Sequence, residues 1–211
     1  DNAGFTAGEP WIGPIFNPLL ISIAVVIVFL AVFDIDYQNY NDGAKYLSYL
    51  LTPATVCLAI PLYEQMEALK KNIKAILAGI LSGVLTSLTV VLALALIFNL
   101  NHKMYVTLLP KSITTAIGMG VSEELGGAVT ITVAVIIITG VLGNMLAETL
   151  CKLFHIEEPI AKGISIGSAS HAIGTAKAME MGDVEGAMSS LSIAVAGILT
   201  VVGASIYAMF I

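Results

Sequence analysis

Ser168, Ser170, His171, Thr175 and Lys177 fall within ten consecutive residues of the stretch SIGSASHAIGTAK (165–177). Hydroxyls beside an imidazole are ingredients of nucleophilic catalysis, and hydroxyls beside an ammonium are ingredients of an anion site. The spacing argues against catalysis. Adjacent residues on a helix point in different directions, so Ser170 and His171 do not converge, and no GxSxG elbow is present. Nor is Gly167–Lys177 a P-loop, because Lys177 follows Gly174 by three residues rather than one. No enzymatic activity, metal or cofactor is therefore expected. A second polar stretch, LPKSITT (109–115), offers Lys111, Ser112, Thr114 and Thr115, and a third places Thr52 and Thr55 around Pro53. His171 reads equally as a satisfied structural histidine or as a substrate ligand or proton carrier. Lys177 reads equally as a substrate contact or as a cation reaching out to the surface, and Glu180, Asp183 and Glu185 as residues capping or lining a short loop.

These polar clusters sit in a chain that is otherwise built for lipid. Of 211 residues, 57% are hydrophobic and 11% charged, against about 25% charged in a soluble domain. The mean hydropathy is +0.93. At roughly 20 residues per span, six or seven membrane segments fit. The net charge of −6 and the absence of Arg leave no basic stripe for nucleic acid. An anion site must then use Lys, hydroxyls or helix ends instead of an Arg fork. Cys57 and Cys151 are isolated in apolar runs and read as small hydrophobes. The first residues show no signal-peptide pattern, and Gly4, Gly8, Pro10, Gly13 and Pro14 break any helix there.

Along the chain, 17–33 reads as an uncharged span opened by Pro18 and 34–45 as an acidic, tyrosine-bearing surface loop. Pro53 and Pro61 predict an interrupted helix between them. EQMEALKKNIK (64–74) reads as a cytoplasmic loop carrying Lys70, Lys71 and Lys74. Residues 75–98 form a clean span whose Gly79 and Gly83 permit close internal packing. Residues 105–124 are too broken for an ordinary span. Residues 128–150 cross again, 151–162 form a loop, and the last apolar run extends from Leu191 to Ile211.

The order apolar span, polar loop, Ala-Lys, interrupted segment, apolar run occurs twice, with Ala44-Lys45 and Ala161-Lys162 as markers. This predicts an all-α, polytopic integral membrane protein of one domain with two inverted repeats, about 17–98 and 105–211, each containing an interrupted helix. If 105–124 re-enters without crossing, Lys152 and Lys162 join Lys70–Lys74 on the inside, as the positive-inside rule prefers. The breaks at Thr52–Pro61 and Ser168–Lys177 are expected to face one another, as in carriers with midmembrane sites.

The blocks NPLLIS (17–22), TPATVCLAIPLYEQ (52–65), LPKSITTAIGMGVSEELGG (109–127) and PIAKGISIGSASHAIGTAKAMEMGDVEGAMSSLSI (159–193) resemble the LrgB/CidB family of bacterial membrane proteins. They also resemble the C-terminal half of the plastidal glycolate/glycerate translocator. The family pattern places a further apolar span before the NPLLIS-like block. The resemblance implies either transport of small monocarboxylates (pyruvate, glycolate or glycerate) or antiholin-like regulation of murein hydrolase activity and lysis with a small LrgA-like partner. The interrupted helices favour transport. The implied setting is the lipid bilayer of a bacterial inner membrane, or alternatively a plastid inner envelope, with a homo-oligomer expected.

Overall fold

The computed structural model describes residues 18–50, 53, 56, 57 and 59–211, and among them every regular element is a helix. The chain divides after Thr52 into two compact units. In the first, α1 (Pro18–Val32) is uncharged, and α2 (Tyr37–Ser48) occupies most of the stretch expected to be a loop. Tyr37, Tyr40 and Leu47 give α2 an apolar side at helical spacing, and Lys45 pairs with Asp42 at 3.2 Å. The 15 residues of α1 extend about 22 Å, short of the roughly 30 Å hydrocarbon core.

The second unit starts at Pro53, and its first helix with described bounds is α3 (Ala59–Glu64). It carries Pro61, and Pro53, Val56 and Cys57 before it are also helical; the interruption expected between Pro53 and Pro61 falls largely outside the described residues. After a turn at Gln65 comes α4 (Met66–Ile97). The expected loop at 64–74 is thus mostly helix, because Glu, Met, Ala, Leu and Lys there are strong helix formers with no Gly or Pro among them. At 32 residues, α4 is about 48 Å long, and its lysines ride on its first turns.

Two short helices follow, α5 (His102–Leu108) and α6 (Thr115–Glu124), and then α7 (Val129–Leu153). Asn101 caps α5 by accepting from the Met104 N–H at 2.9 Å. The pair α5/α6 doubles back. The Thr132 hydroxyl of α7 donates to the Thr107 carbonyl (3.0 Å) and shares a hydrogen bond with Ser122 (2.7 Å), and the Ala128 N–H donates to the Thr107 hydroxyl at 2.8 Å, so the last turn of α6 and the start of α7 return to α5. Residues 102–128 therefore double back on α5, the path that a re-entry at 105–124 would take.

The next helix, α8 (Pro159–Met181), is interrupted at Ser170 (φ −132°, ψ 17°) and His171 (φ 44°, ψ −144°). It is a hairpin rather than a kinked rod. Ile166 and Ala178 share an apolar cluster with Ala147, although twelve residues of continuous helix would separate them by about 18 Å. An inbound arm (159–169) and an outbound arm (172–181) thus lie side by side. After Gly182, α9 (Asp183–Tyr207) runs back through the molecule and ends in a 3-10 turn, Ala208–Phe210.

α4, α7 and α9 are long and apolar enough to cross a membrane. Asn72, Ile156 and Glu158 line one cavity, placing the start of α4 beside the α7–α8 connection. At the other end, the Thr89 and Tyr207 hydroxyls lie 2.8 Å apart and His102 Nδ1 is 2.7 Å from the Ile211 carbonyl oxygen. Lys70, Lys71, Lys74, Lys152 and Lys162 gather at the first end, and Lys103 stands at the second.

The core follows from α4, whose Ile76, Ile80, Val84, Leu88, Val91 and Ala95 repeat every three or four residues and are buried. They meet Tyr105, Leu109 and Ile113 of the α5/α6 hairpin and Ala187, Met188, Ala196 and Ala204 of α9. Leu77, Leu81 and Leu85, one residue on and so about 100° round α4 from that stripe, are each 45% exposed, as suits a lipid-facing surface. Small residues bring the backbones together. A Cβ on Gly163 would lie 2.8 Å from Met188 Cβ, and one on Gly167 would lie 2.8 Å from Ser192 Cβ, so α8 and α9 approach closer than larger side chains allow.

Candidate functional site

Two hairpins enter from opposite ends of the second unit, and the tip residues of both line one cavity of about 880 Å³. The α5/α6 hairpin contributes Lys111 and Ser112, and the inbound arm of α8 contributes Ser168 and Ala169. One wall is a stripe of α4 that includes Asn72, Ser82, Thr86 and Ser87. These residues recur at helical spacing, so a single face of α4 carries them all.

Local order at the cavity end is set by hydrogen bonds. Lys111 Nζ donates to Ser112 Oγ at 2.9 Å, and Ser87 and Ser112 hydroxyls lie 3.1 Å apart. Among the described residues no carboxylate lies within ion-pair distance of Lys111. Of three ammonium donors, one is engaged by Ser112. Ser168 closes the facing side: its hydroxyl donates to the Ile164 carbonyl at 2.7 Å, and Gly83 of α4 makes room for it, since a Cβ there would stand 2.9 Å from Ser168 Oγ. Gly79 similarly accommodates Ile164. The paired glycines of α4 therefore serve internal packing, as their spacing predicted.

The remaining residues of the 165–177 stretch hold the hairpin together. Ser170 donates to the Ile166 carbonyl at 2.8 Å and is seated against Gly143 of α7 and Gly174 of the outbound arm. His171 is buried, with Nε2 3.0 Å from the Ile136 carbonyl oxygen. A carbonyl can only accept, so Nε2 carries a proton. Gly140 lies under the ring, where a Cβ would come within 2.7 Å of Cε1. Thr175 donates to the His171 carbonyl at 3.0 Å and accepts from Ser189 of α9 at 2.7 Å. Asn144 of α7 ties down the outbound arm through the Ile173 carbonyl at 2.8 Å. These bonds satisfy polar groups that a broken helix would otherwise leave unpaired in an apolar surrounding.

Lys177 lies elsewhere. It pairs with Glu148 (3.5 Å) and Glu180 (3.2 Å) in a second cavity of about 500 Å³ at the lysine-rich end, where Lys152, Lys162 and Glu185 are also found. Glu180 and Glu185 thus line a surface cavity, and Asp183 opens the first turn of α9. Of the residues singled out from sequence, Lys111, Ser112 and Ser168 converge on one cavity. Ser170, His171 and Thr175 are grouped in the hairpin bend. Thr114 precedes the first turn of α6 and Thr115 begins it, and neither lines the cavity. Thr52 and Thr55 lie outside the described residues. The cavity that holds the tip of α8 is shared with residues 111–112, while α3, with Pro61, packs on α9 and α4.

Sequence reasoning passed over the hydroxyl stripe of α4 and the anchoring Asn144. The α4 signal is present in the spacing of Asn72, Gly79, Ser82, Gly83, Thr86 and Ser87, hidden because the whole span is so apolar. Asn144 stands as the one amide inside an otherwise apolar α7, a rare residue in such a setting.

The LrgB-like family model matches residues 7–210. The chain is 40% identical over 197 residues to the antiholin-like protein LrgB of Bacillus mycoides (strain KBAB4), covering 93% of this chain and 86% of that protein. The antiholin-like protein LrgB of Bacillus cereus (strain B4264) shows the same identity and coverage. No solved structure matches the chain. With a match that takes in both hairpins and the membrane-capable helices α4, α7 and α9, the chain belongs to the LrgB-like family.

Proposed function

We propose that this chain acts as an antiholin-like membrane protein, regulating murein hydrolase activity and lysis together with a small LrgA-like membrane partner in a bacterial plasma membrane. The observation that carries this reading is the 40% identity spread over 93% of the chain to proteins named antiholin-like. The end bearing Lys70–Lys74, Lys152 and Lys162 then faces the cytoplasm, and the chain is multi-pass. Expression in a Bacillus strain lacking its own LrgB should slow the strain's accelerated autolysis. Unchanged autolysis with the protein present in the membrane would overturn the reading.

A second reading is favoured by the cavity. Hairpins that enter from opposite ends and bring an ammonium and hydroxyls to a shared cavity suit a carrier of small monocarboxylates of the pyruvate, glycolate or glycerate class, working by alternating access. In this proposal the chain is built of two inverted repeats, about 17–98 and 105–211, and both hairpins fall in the second. Labelled pyruvate or glycolate should accumulate in proteoliposomes containing the protein. Folded protein without uptake sinks the carrier reading and leaves the first untouched.

A further inference from the structure

The cavity ending at Lys111 is larger than a two- or three-carbon acid requires. From Asn72 to Ser87 its α4 wall runs fifteen residues, or about 22 Å. Its volume of about 880 Å³ is in the upper part of the 300–1,000 Å³ range of sites for drug-sized molecules. Charge along it is polarised. Among the described residues Lys111 is the only cation lining the cavity and lies at the hairpin-tip end, whereas Glu158, the only lining carboxylate among them, lies at the end near Asn72 and the α7–α8 connection. Between them the walls are mainly apolar, with Ala75, Ile160, Ala161 and Ile164 prominent.

We infer that the cavity binds an amphipathic monocarboxylate, its carboxylate on Lys111 beside the Ser87 and Ser112 hydroxyls and its apolar tail lying back between α4 and the inbound arm of α8. This deepens the carrier reading and rests on the same site. The ammonium has donors to spare beyond its bond to Ser112, and the two serine hydroxyls can turn toward an incoming oxygen. A charge-assisted bond in this partly dry place is worth about a tenfold change in affinity or more. Each methylene of the tail buried against the apolar walls adds about three- to fourfold. A second carboxylate at the tail's far end would meet Glu158, and among the described residues the lysines of that end do not line the cavity to receive it, so dicarboxylates are disfavoured.

The test is binding of labelled hexanoate, with pyruvate and adipate as competitors, to the full chain in phosphatidylcholine nanodiscs, corrected for empty discs. Hexanoate should bind at least tenfold more tightly than pyruvate or adipate, and Lys111→Gln should weaken it about tenfold or more. Glu158→Gln, remote from the hairpin tip, should narrow the hexanoate-to-adipate ratio severalfold, and it keeps the test open if Lys111→Gln fails to fold. Pyruvate binding as tightly as hexanoate, or hexanoate affinity unchanged in folded Lys111→Gln, overturns the inference. Lys111-dependent hexanoate binding without any pyruvate or glycolate uptake would support it while sinking the carrier reading. Uptake that survives Lys111→Gln would overturn it while leaving the carrier reading in place.

Discussion

Gly143 of α7 faces Ser170 at the bend of the α8 hairpin so closely that a Cβ on the glycine would overlap the serine side chain. The glycine is thus the socket into which the bend of a re-entrant hairpin fits. Helix propensity alone would favour Gly143→Ala by about 1 kcal/mol, but overpacking at the bend should reverse the sign and destabilise by about 1–3 kcal/mol. Gly120→Ala, where nothing lies within 4 Å of the added Cβ, should be neutral or stabilising. Thermal unfolding of both variants in mild detergent checks the contrast, and equal behaviour would refute the socket.

His171 adopts φ 44° and ψ −144°, a backbone region that glycine occupies far more readily than residues with a Cβ. Both His171→Ala and His171→Gly lose the bond to the Ile136 carbonyl, yet only the glycine relieves the bend. His171→Gly should therefore be the more stable of the two by about 1 kcal/mol or more. Ordinary helical backbone at this position would give the opposite order, with Ala ahead, in the same unfolding measurement.

Lys177 links the outbound arm to α7 through Glu148, with the lysine side chain 25% and the glutamate 48% exposed. Solvent screening at this exposure keeps such a pair to about 1 kcal/mol or less. A double-mutant cycle with Lys177→Gln and Glu148→Gln should return a coupling in that range, shrinking as salt rises. Hexanoate binding should stay within about twofold of the unaltered chain in Lys177→Gln, since Lys177 lies in the other cavity. A tenfold loss would move the anion site to Lys177.

The two arms of α8 place Lys162 and Glu180 at one end of the molecule, although eighteen residues of continuous helix would set them about 27 Å apart. In a chain with Cys57 and Cys151 replaced, cysteines introduced by Lys162→Cys and Glu180→Cys should react with a membrane-impermeant maleimide from the same side. Lys103→Cys should react from the other side. Labelling of 162 and 180 from opposite sides would show that α8 crosses.

Much of this arrangement was legible in the chain itself. Long uncharged runs marked α4, α7 and α9, because a span that must satisfy its own backbone in lipid has little compositional freedom. The density of Ser, Gly and His at 165–177 marked an interruption, and glycines spaced by four marked close helix contacts. Lysine placement favoured re-entry at 105–124. The helices at 37–48 and 66–74 were harder to see, since polar residues at a surface serve a loop and an exposed helix equally well.

What the sequence determined by itself was the solvent, the places where helices break and the kinds of groups available to an anion: Lys and hydroxyls, without Arg. Only the tertiary structure decided which of those groups share a cavity. His171 and Lys177 are sequence neighbours of Ser168, but the hairpin turns the first into α7 and carries the second out to Glu148 and Glu180. Lys111, fifty-seven residues before Ser168 in the chain, lines the same cavity instead. The reason is geometric: a reversal at one residue pair redirects every side chain beyond it, and the direction of that reversal is set by the glycines of a neighbouring helix.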